Sequence, residues 1–239
     1  MAFRHHPASN GGPTIVFLPG YMSDMDGGKA TAVFDWAASQ GHGCLLLDYT
    51  GCGMSDGEFS DGSLSIWRRE ILHLIGALEI GSAVIIGSSM GGWLMLTLGL
   101  ALNDQLAGIV GIASAPDFTE WGRSDADKTL LESGQTVFDE NPYGPEPTPM
   151  HPLFWRDGQS QLLLDSVIEL NCPMRLIHGQ KDRDVPWEIT MQLAAAARSD
   201  DIQVTLIKDG DHRLSRESDI RILLAQIADV IERASGDSL

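Results

Sequence analysis

The sequence predicts an α/β domain: a mainly parallel sheet of about seven strands covered by helices on both faces. Three observations lead there. Short apolar runs of strand length alternate with helical stretches along the chain, with no internal repeat and no low-complexity linker. One of those runs, Ala83 to Ile86, leads through a glycine-rich turn straight into a charge-free helical run, Trp93 to Leu102. The 239 residues suit one domain of this class, large enough to bury a core without staples.

Each element has its reason. Ala2 to His6 supplies at most an edge strand, and Thr14 to Leu18 is the first central strand, ending in the loop Pro19-Gly20-Tyr21-Met22. Asp48 to Ser55 is the loop after the next strand. The run 93–102 is too short to cross a bilayer and reads as a buried helix. Ile109 to Ala113 is a further strand, about sixty residues before the strand Pro173 to His178. The front half of that gap breaks the rhythm. It carries Phe118, Trp121, Phe138, Tyr143, Phe154 and Trp155, and five prolines between 142 and 152. Long insertions of this kind form lids over sites. Residues 117–160 are therefore expected to form a small cap, with a helix around 121–133 and an irregular Pro-rich piece after it. Ser160 to Leu170 is expected to return as a sheet-covering helix. A loop follows from Gly179 to Pro186, then a helical stretch from Trp187 to Arg198, the strand Ile202 to Ile207, and the loop Asp209 to Arg213.

Gly87-Ser88-Ser89-Met90-Gly91-Gly92 holds G-x-S-x-G at a strand-to-helix turn. There the central serine sits on a strained elbow with its hydroxyl clear of the sheet. Ser89 is that central residue, so it and not Ser88 is the candidate nucleophile. A serine hydroxyl needs a base within hydrogen-bond reach, imidazole suits that role, and a carboxylate fixes the imidazole's tautomer. Asp182 lies just past a strand end, where ligands bind in open α/β sheets, with Asp184 its competitor. His212 is the one histidine of seven in a strand-to-helix loop downstream of Asp182. His178, on the preceding strand, packs or shapes the loop. The oxyanion that develops needs donors already aimed at it. The backbone N–H of Met90 is one, and that of Tyr21 is the other by position, with Met22 ranked behind it.

Taken together these residues resemble the α/β-hydrolase superfamily across nearly the whole chain. Asp48-Tyr49-Thr50-Gly51-Cys52-Gly53-Met54-Ser55 is similar to the family's D-x-x-G-x-G-x-S loop, and His178 to Pro186 to its H-G-x-x-D-x-x-V-P. Asp211-His212 resembles its D-H end, while the family's frequent His-Gly of the oxyanion loop stands here as Pro19-Gly20. Leu18 to Ser23, Gly87 to Leu96 and Asn171 to Leu176 resemble the branch that holds a mitochondrial palmitoyl-protein thioesterase and mycophenolic acid acyl-glucuronide esterase. The resemblance implies an α/β-hydrolase fold with one strand of the usual leading pair missing. It also implies ester or thioester cleavage through an acyl-serine.

Composition narrows the partners. The net charge is −17, with 33 acidic against 16 basic residues, so nucleic acid and anionic membranes are not expected partners. Cys44, Cys52 and Cys172 form neither a disulfide framework nor a zinc pattern. Cys52 reads as a small loop residue before it reads as a reactive thiol. His5-His6 is a weak metal hint at a terminus. No metal and no cofactor are expected, and with no apolar signal core at the start the expected location is cytoplasmic. The cap aromatics suggest an apolar pocket, with Met22, Phe118, Trp121, Phe154 and Trp155 as candidate lining, and hence a small hydrophobic ester or thioester as substrate. Two other classes stay open: a lyase or cofactor-free oxidative enzyme on the same fold, and a non-catalytic binding protein. A haloalkane dehalogenase would need aspartate at position 89.

Overall fold

The computed structural model describes residues 1–142, 144–234 and 236. Its first half runs β1 (Phe3–His6), β2 (Thr14–Leu18), α1 (Gly28–Gln40), β3 (Cys44–Leu47), α2 (Leu64–Ala77), β4 (Ala83–Ser88), α3 (Met90–Leu102) and β5 (Leu106–Ile112). The middle holds α4 (Phe118–Trp121), α5 (Asp125–Glu132), β6 (Val137–Asp139), β7 (Thr148–Met150) and α6 (Pro152–Gln159). The chain closes with β8 (Met174–Gly179), α7 (Glu188–Ala196), β9 (Ile202–Ile207) and α8 (Glu217–Ala234).

Seven strands make one sheet in the order β1-β3-β2-β4-β5-β8-β9. Only β1 is antiparallel to its neighbour; the other pairings are parallel. The mainly parallel seven-stranded sheet that the sequence predicts is the one observed. Strands β2, β3, β4 and β8 are buried at every position, because helices cover both faces. Side chains alternate between those faces. Ile15, Phe17, Val84 and Ile86 pack with Val33 and Ala37 of α1 and with Leu223, Ile227 and Val230 of α8. Val16, Leu18 and Ile85 pack the other way, with Trp67 and Ile71 of α2 and with Trp93 to Leu98 of α3. Helix α3 is apolar on all sides, as a helix enclosed by its neighbours must be. The parallel order places the C-terminal ends of β2, β4, β8 and β9 along one edge, where their loops meet.

The segment between β5 and β8 differs from the sequence expectation in three ways. The helix expected over 121–133 is two helices, because α4 stops at Gly122 and α5 restarts on its own capping box, Ser124 with Asp127. The Pro-rich piece is not wholly irregular, since β6 and β7 pair antiparallel. No helix spans Ser160 to Leu170. The helix there is the earlier α6, which starts on Pro152, and the chain after it is held by other acceptors. The buried Asp117 carboxylate takes the N–H groups of Leu163, at 3.0 Å to each oxygen, and Leu164, at 2.8 Å. Ile168 then bridges to the end of α7, its N–H on Ala196 O at 2.9 Å and its carbonyl on Arg198 N–H at 3.0 Å. That bridge also ends α7 before the expected Arg198.

Asp117→Ala should therefore cost about 1–3 kcal/mol in urea unfolding, as buried N–H groups lose their acceptor. Asp117→Asn, which keeps one acceptor and tolerates the backbone φ of 59°, should cost less. Equal midpoints for all three proteins would show that Asp117 does not hold the segment.

Candidate active site

Ser89 stands between the end of β4 and the first residue of α3. Its backbone is strained, with φ 55° and ψ −120°, a conformation that persists only where the surroundings over-determine it. They do so here. Ser89 N–H donates to Ile112 O at 2.9 Å, and Ser89 O accepts from Gly92 N–H at 2.8 Å and Ala115 N–H at 3.0 Å. The flanking glycines are required by close approach. A Cβ on Gly87 would lie 2.3 Å from Gly91 O, and one on Gly91 would lie 2.2 Å from Leu18 O. The helix thus presses directly against the ends of two strands, and the turn has nowhere to go but outward. Ser88 is buried beneath it, while Ser89 is partly exposed.

Three loops bring Ser89, His212 and Asp182 into line. His212, past the end of β9, has Nε2 3.1 Å from Ser89 Oγ. Its Nδ1 lies 2.8 Å from Asp182 Oδ2. With the proton on Nδ1, the ring donates to Asp182 and accepts from the Ser89 hydroxyl. Asp182 is fully buried as a side chain and is itself held. Its Oδ1 accepts from Asp184 N–H and Val185 N–H, both at 2.9 Å. Asp184 therefore reaches Asp182 through its backbone, and its own side chain lines the cavity beside the relay. Burial pushes the Asp182 carboxyl upward, but hydrogen bonds from His178, His212 and Val185 outweigh it and hold it well below the ordinary carboxylate range.

His178 takes a larger part than its place on β8 suggests. It is fully buried. Its Nε2 lies 3.1 Å from both Asp182 Oδ2 and Val185 O, and its Nδ1 lies 2.6 Å from Thr190 Oγ1 of α7. Asp182 Oδ2 is thus shared between two imidazoles, one buried and one facing Ser89. The four-residue spacing of His178 and Asp182 was visible in the sequence, but the Thr190 contact was not.

The loop after β2 passes beside Ser89. A Cβ on Gly20 would lie 3.4 Å from Ser89 Cβ. Among the described residues, no hydrogen bond engages the backbone N–H of Tyr21 or of Met90. Two neighbours fix this loop that sequence reasoning missed. The buried Tyr49 donates its hydroxyl to Pro19 O at 2.9 Å. The buried Asp48 carboxylate accepts from Met25 N–H at 2.7 Å and Met54 N–H at 2.8 Å, tying the loop after β2 to the loop after β3.

A cavity of about 680 Å³ opens over Ser89 and His212. Met22, Phe118 and Trp121 line it. Phe154 and Trp155 do not. They are 2% and 6% exposed, and they pack in the core beneath, where Trp155 Nε1 donates to Thr119 O at 3.1 Å. Tyr143 lies outside the described residues. Ala115, Met150 and Val185 complete the apolar wall. The cavity is also more polar than the cap aromatics imply. Arg123, almost buried, is ion-paired with Asp139 of β6, and Lys29 of α1 sits by the His212 loop with Nζ on Arg213 O.

Among the described residues, one group of side chains has metal-ligand spacing: Asp182, Asp184 and His212, within 4.8 Å of one another. A metal there would compete with the hydrogen bond joining Asp182 to His212. Cys52 is buried, and burial together with Asp48 and Glu70 pushes its thiol up to about 12. It is therefore not a poised nucleophile.

Comparison with known proteins agrees with the fold. A sequence model of the Alpha/beta hydrolase family matches residues 15–222. Palmitoyl-protein thioesterase ABHD10, mitochondrial, of Homo sapiens is 37% identical over 232 residues, covering 93% of this chain and 74% of the relative. The Mus musculus counterpart is 36% identical over 228 residues, covering 93% and 76%. Among solved structures, a protein from Agrobacterium vitis S4 described as a hydrolase superposes with a TM-score of 0.90 at 37% identity, covering 96% of this chain and 92% of that one. Alpha/beta hydrolase domain-containing protein 10 from mouse superposes with a TM-score of 0.88 at 33% identity, covering 97% and 93%.

The depressed Asp182 carboxyl has a consequence for stability. Its contribution is complete above the unfolded carboxylate value near ~4 and is lost as pH falls through the folded value. The stability deficit of Asp182→Asn relative to the parent should therefore shrink as the pH falls below about 4. A deficit that grows as the pH falls below about 4 would contradict the assignment.

Proposed function

We propose that this chain, which belongs to the alpha/beta hydrolase family, cleaves carboxylic ester or thioester bonds of a small hydrophobic acyl substrate through an acyl-serine intermediate on Ser89. The observation that carries the reading is the unbroken relay from Ser89 Oγ through His212 to the buried Asp182. His212 Nε2 takes the hydroxyl proton as Ser89 Oγ attacks the acyl carbon. Asp182 stabilises the imidazolium that forms. The N–H groups of Tyr21 and Met90 receive the negative oxygen. His212 then returns the proton to the leaving alcohol or thiol, and water repeats the cycle to release the acid. These groups supply the proton transfers and the charge stabilisation without a metal or cofactor.

Residues 117–160 act as a cap, and the apolar wall of Met22, Phe118, Trp121 and Met150 takes the acyl group. The thioesterase named among the relatives supports acyl transfer from sulfur as well as oxygen. The Arg123–Asp139 pair favours one variation, a substrate with a polar portion such as an acyl-glucuronide. The three free, buried cysteines support a reducing compartment. That suits the cytoplasm, while the relatives carry a mitochondrial location in their names.

Two experiments test the reading. Ser89→Ala should lower kcat by about 10⁴-fold or more on p-nitrophenyl esters, and Asp182→Asn by about 10⁴-fold, with Asp184→Asn far milder. If Ser88→Ala abolishes activity and Ser89→Ala does not, the nucleophile is misassigned. Lengthening the acyl chain from two to six carbons should raise kcat/KM about a hundredfold, at about 0.8 kcal/mol per buried methylene. Trp121→Ala should shrink that gain. A flat series would favour the polar substrate.

A further inference from the structure

We propose that the Tyr21 side chain is a positioning residue that couples the cap to the oxyanion loop. The inference rests on the hydrolytic reading above and adds to it a function for the phenol, not for the backbone N–H alone. The ring sits edge-on among three others: Phe59 at 4.9 Å between centroids, Phe118 of α4 at 5.8 Å and Phe154 of α6 at 5.0 Å. Its hydroxyl donates to Pro149 O of β7 at 2.9 Å, 128 residues along the chain. One side chain thus touches three elements of the segment between β5 and β8 while its own backbone passes beside Ser89. Burial raises the phenol well above its ordinary range, so it is a neutral donor throughout any workable assay.

The turn it belongs to is strained and is closed by one backbone hydrogen bond of its own. Ser23 N–H closes on Gly20 O at 3.1 Å, and within that turn Met22 takes φ 55°. A non-glycine residue held there costs of order 1 kcal/mol or more. Downstream the loop is fixed by Met25 N–H on Asp48. Upstream it is fixed by Tyr49 on Pro19 O. Between those anchors the Tyr21 ring and hydroxyl are what stop the strained turn from relaxing. A donor must meet the forming oxyanion within normal hydrogen-bond distance, and small misplacements cost rate steeply. A cap that is in place therefore keeps the donor aimed, and a cap that shifts releases it.

The test is Tyr21→Phe, which keeps the ring and removes one hydrogen bond. With p-nitrophenyl butyrate, kcat should fall about tenfold with KM within about twofold. The inhibition constant of n-butylboronic acid, whose adduct with a serine places an oxygen where the oxyanion forms, should rise in step with the loss in kcat/KM. The pH profile should be unchanged, and the melting temperature should fall by no more than a few degrees, as one part-buried hydrogen bond is lost. Phe59→Leu, which loosens one wall of the ring's notch, should lower kcat in the same direction. Parental kcat and boronate affinity in Tyr21→Phe would overturn the proposal, as would a rise in KM alone. Ser89→Ala run alongside separates the two readings. If it keeps full activity the hydrolytic reading fails, whereas an inactive Ser89→Ala beside a parental Tyr21→Phe removes the coupling alone.

Discussion

At Ser89 the chain has to reverse from strand to helix within one residue, against two strand ends that leave no room for side chains. Gly91 lies so close to the carbonyls of Leu18 and Pro19 that a Cβ would sit 2.2 and 2.5 Å away. This contact sets the distance between α3 and β2, and so between the residue after Ser89 and the loop after β2. The strained Ser89 backbone follows from it, as does the approach of Gly20, in the loop after β2, to Ser89. The apolar helix α3 supplies the packing that holds the strain, since it is enclosed by β2, β4 and β5 and by Trp67 and Ile71 of α2.

The acid end of the relay is built differently, by hydrogen bonds rather than by close packing. Asp182 sits on a loop, which alone would leave it free to turn. Two imidazoles and two backbone N–H groups remove that freedom. His178 is anchored in turn by Thr190 of α7. The loop carboxylate is thereby tied to the sheet by β8 and to a helix behind it, while His212 keeps one side toward solvent and Ser89. The cavity above combines an apolar wall with the Arg123–Asp139 pair.

Much of this was legible in the sequence, because the strongest signals were local. The run Ala83 to Leu102 states strand, turn and helix in consecutive residues, and the strand rhythm on either side defines a parallel sheet. The chain order of Ser89, Asp182 and His212 places all three on loops at one edge of that sheet, where the structure brings them together. What was not legible depends on distant contacts. Nothing local shows that Leu163 and Leu164 find Asp117, so Ser160 to Leu170 reads as a helix and is not one. Phe154 and Trp155 look like pocket aromatics because ring residues on a cap have no sequence mark for which face they turn. The Arg123–Asp139 pair depends on a break at Gly122 and on a β6 strand of three residues, both too short to carry a pattern.

The central claim is that Ser89 becomes acylated with the proton passed to His212. The direct measurement is rapid-quench mass spectrometry of the parental protein mixed with a p-nitrophenyl ester, followed by peptide mapping of the modified chain. An acyl-serine on Ser89, formed in step with the burst of p-nitrophenol and absent from His212→Ala, is the predicted result. An adduct on another residue, or turnover with no acyl-enzyme under conditions where deacylation is slowed, would contradict it.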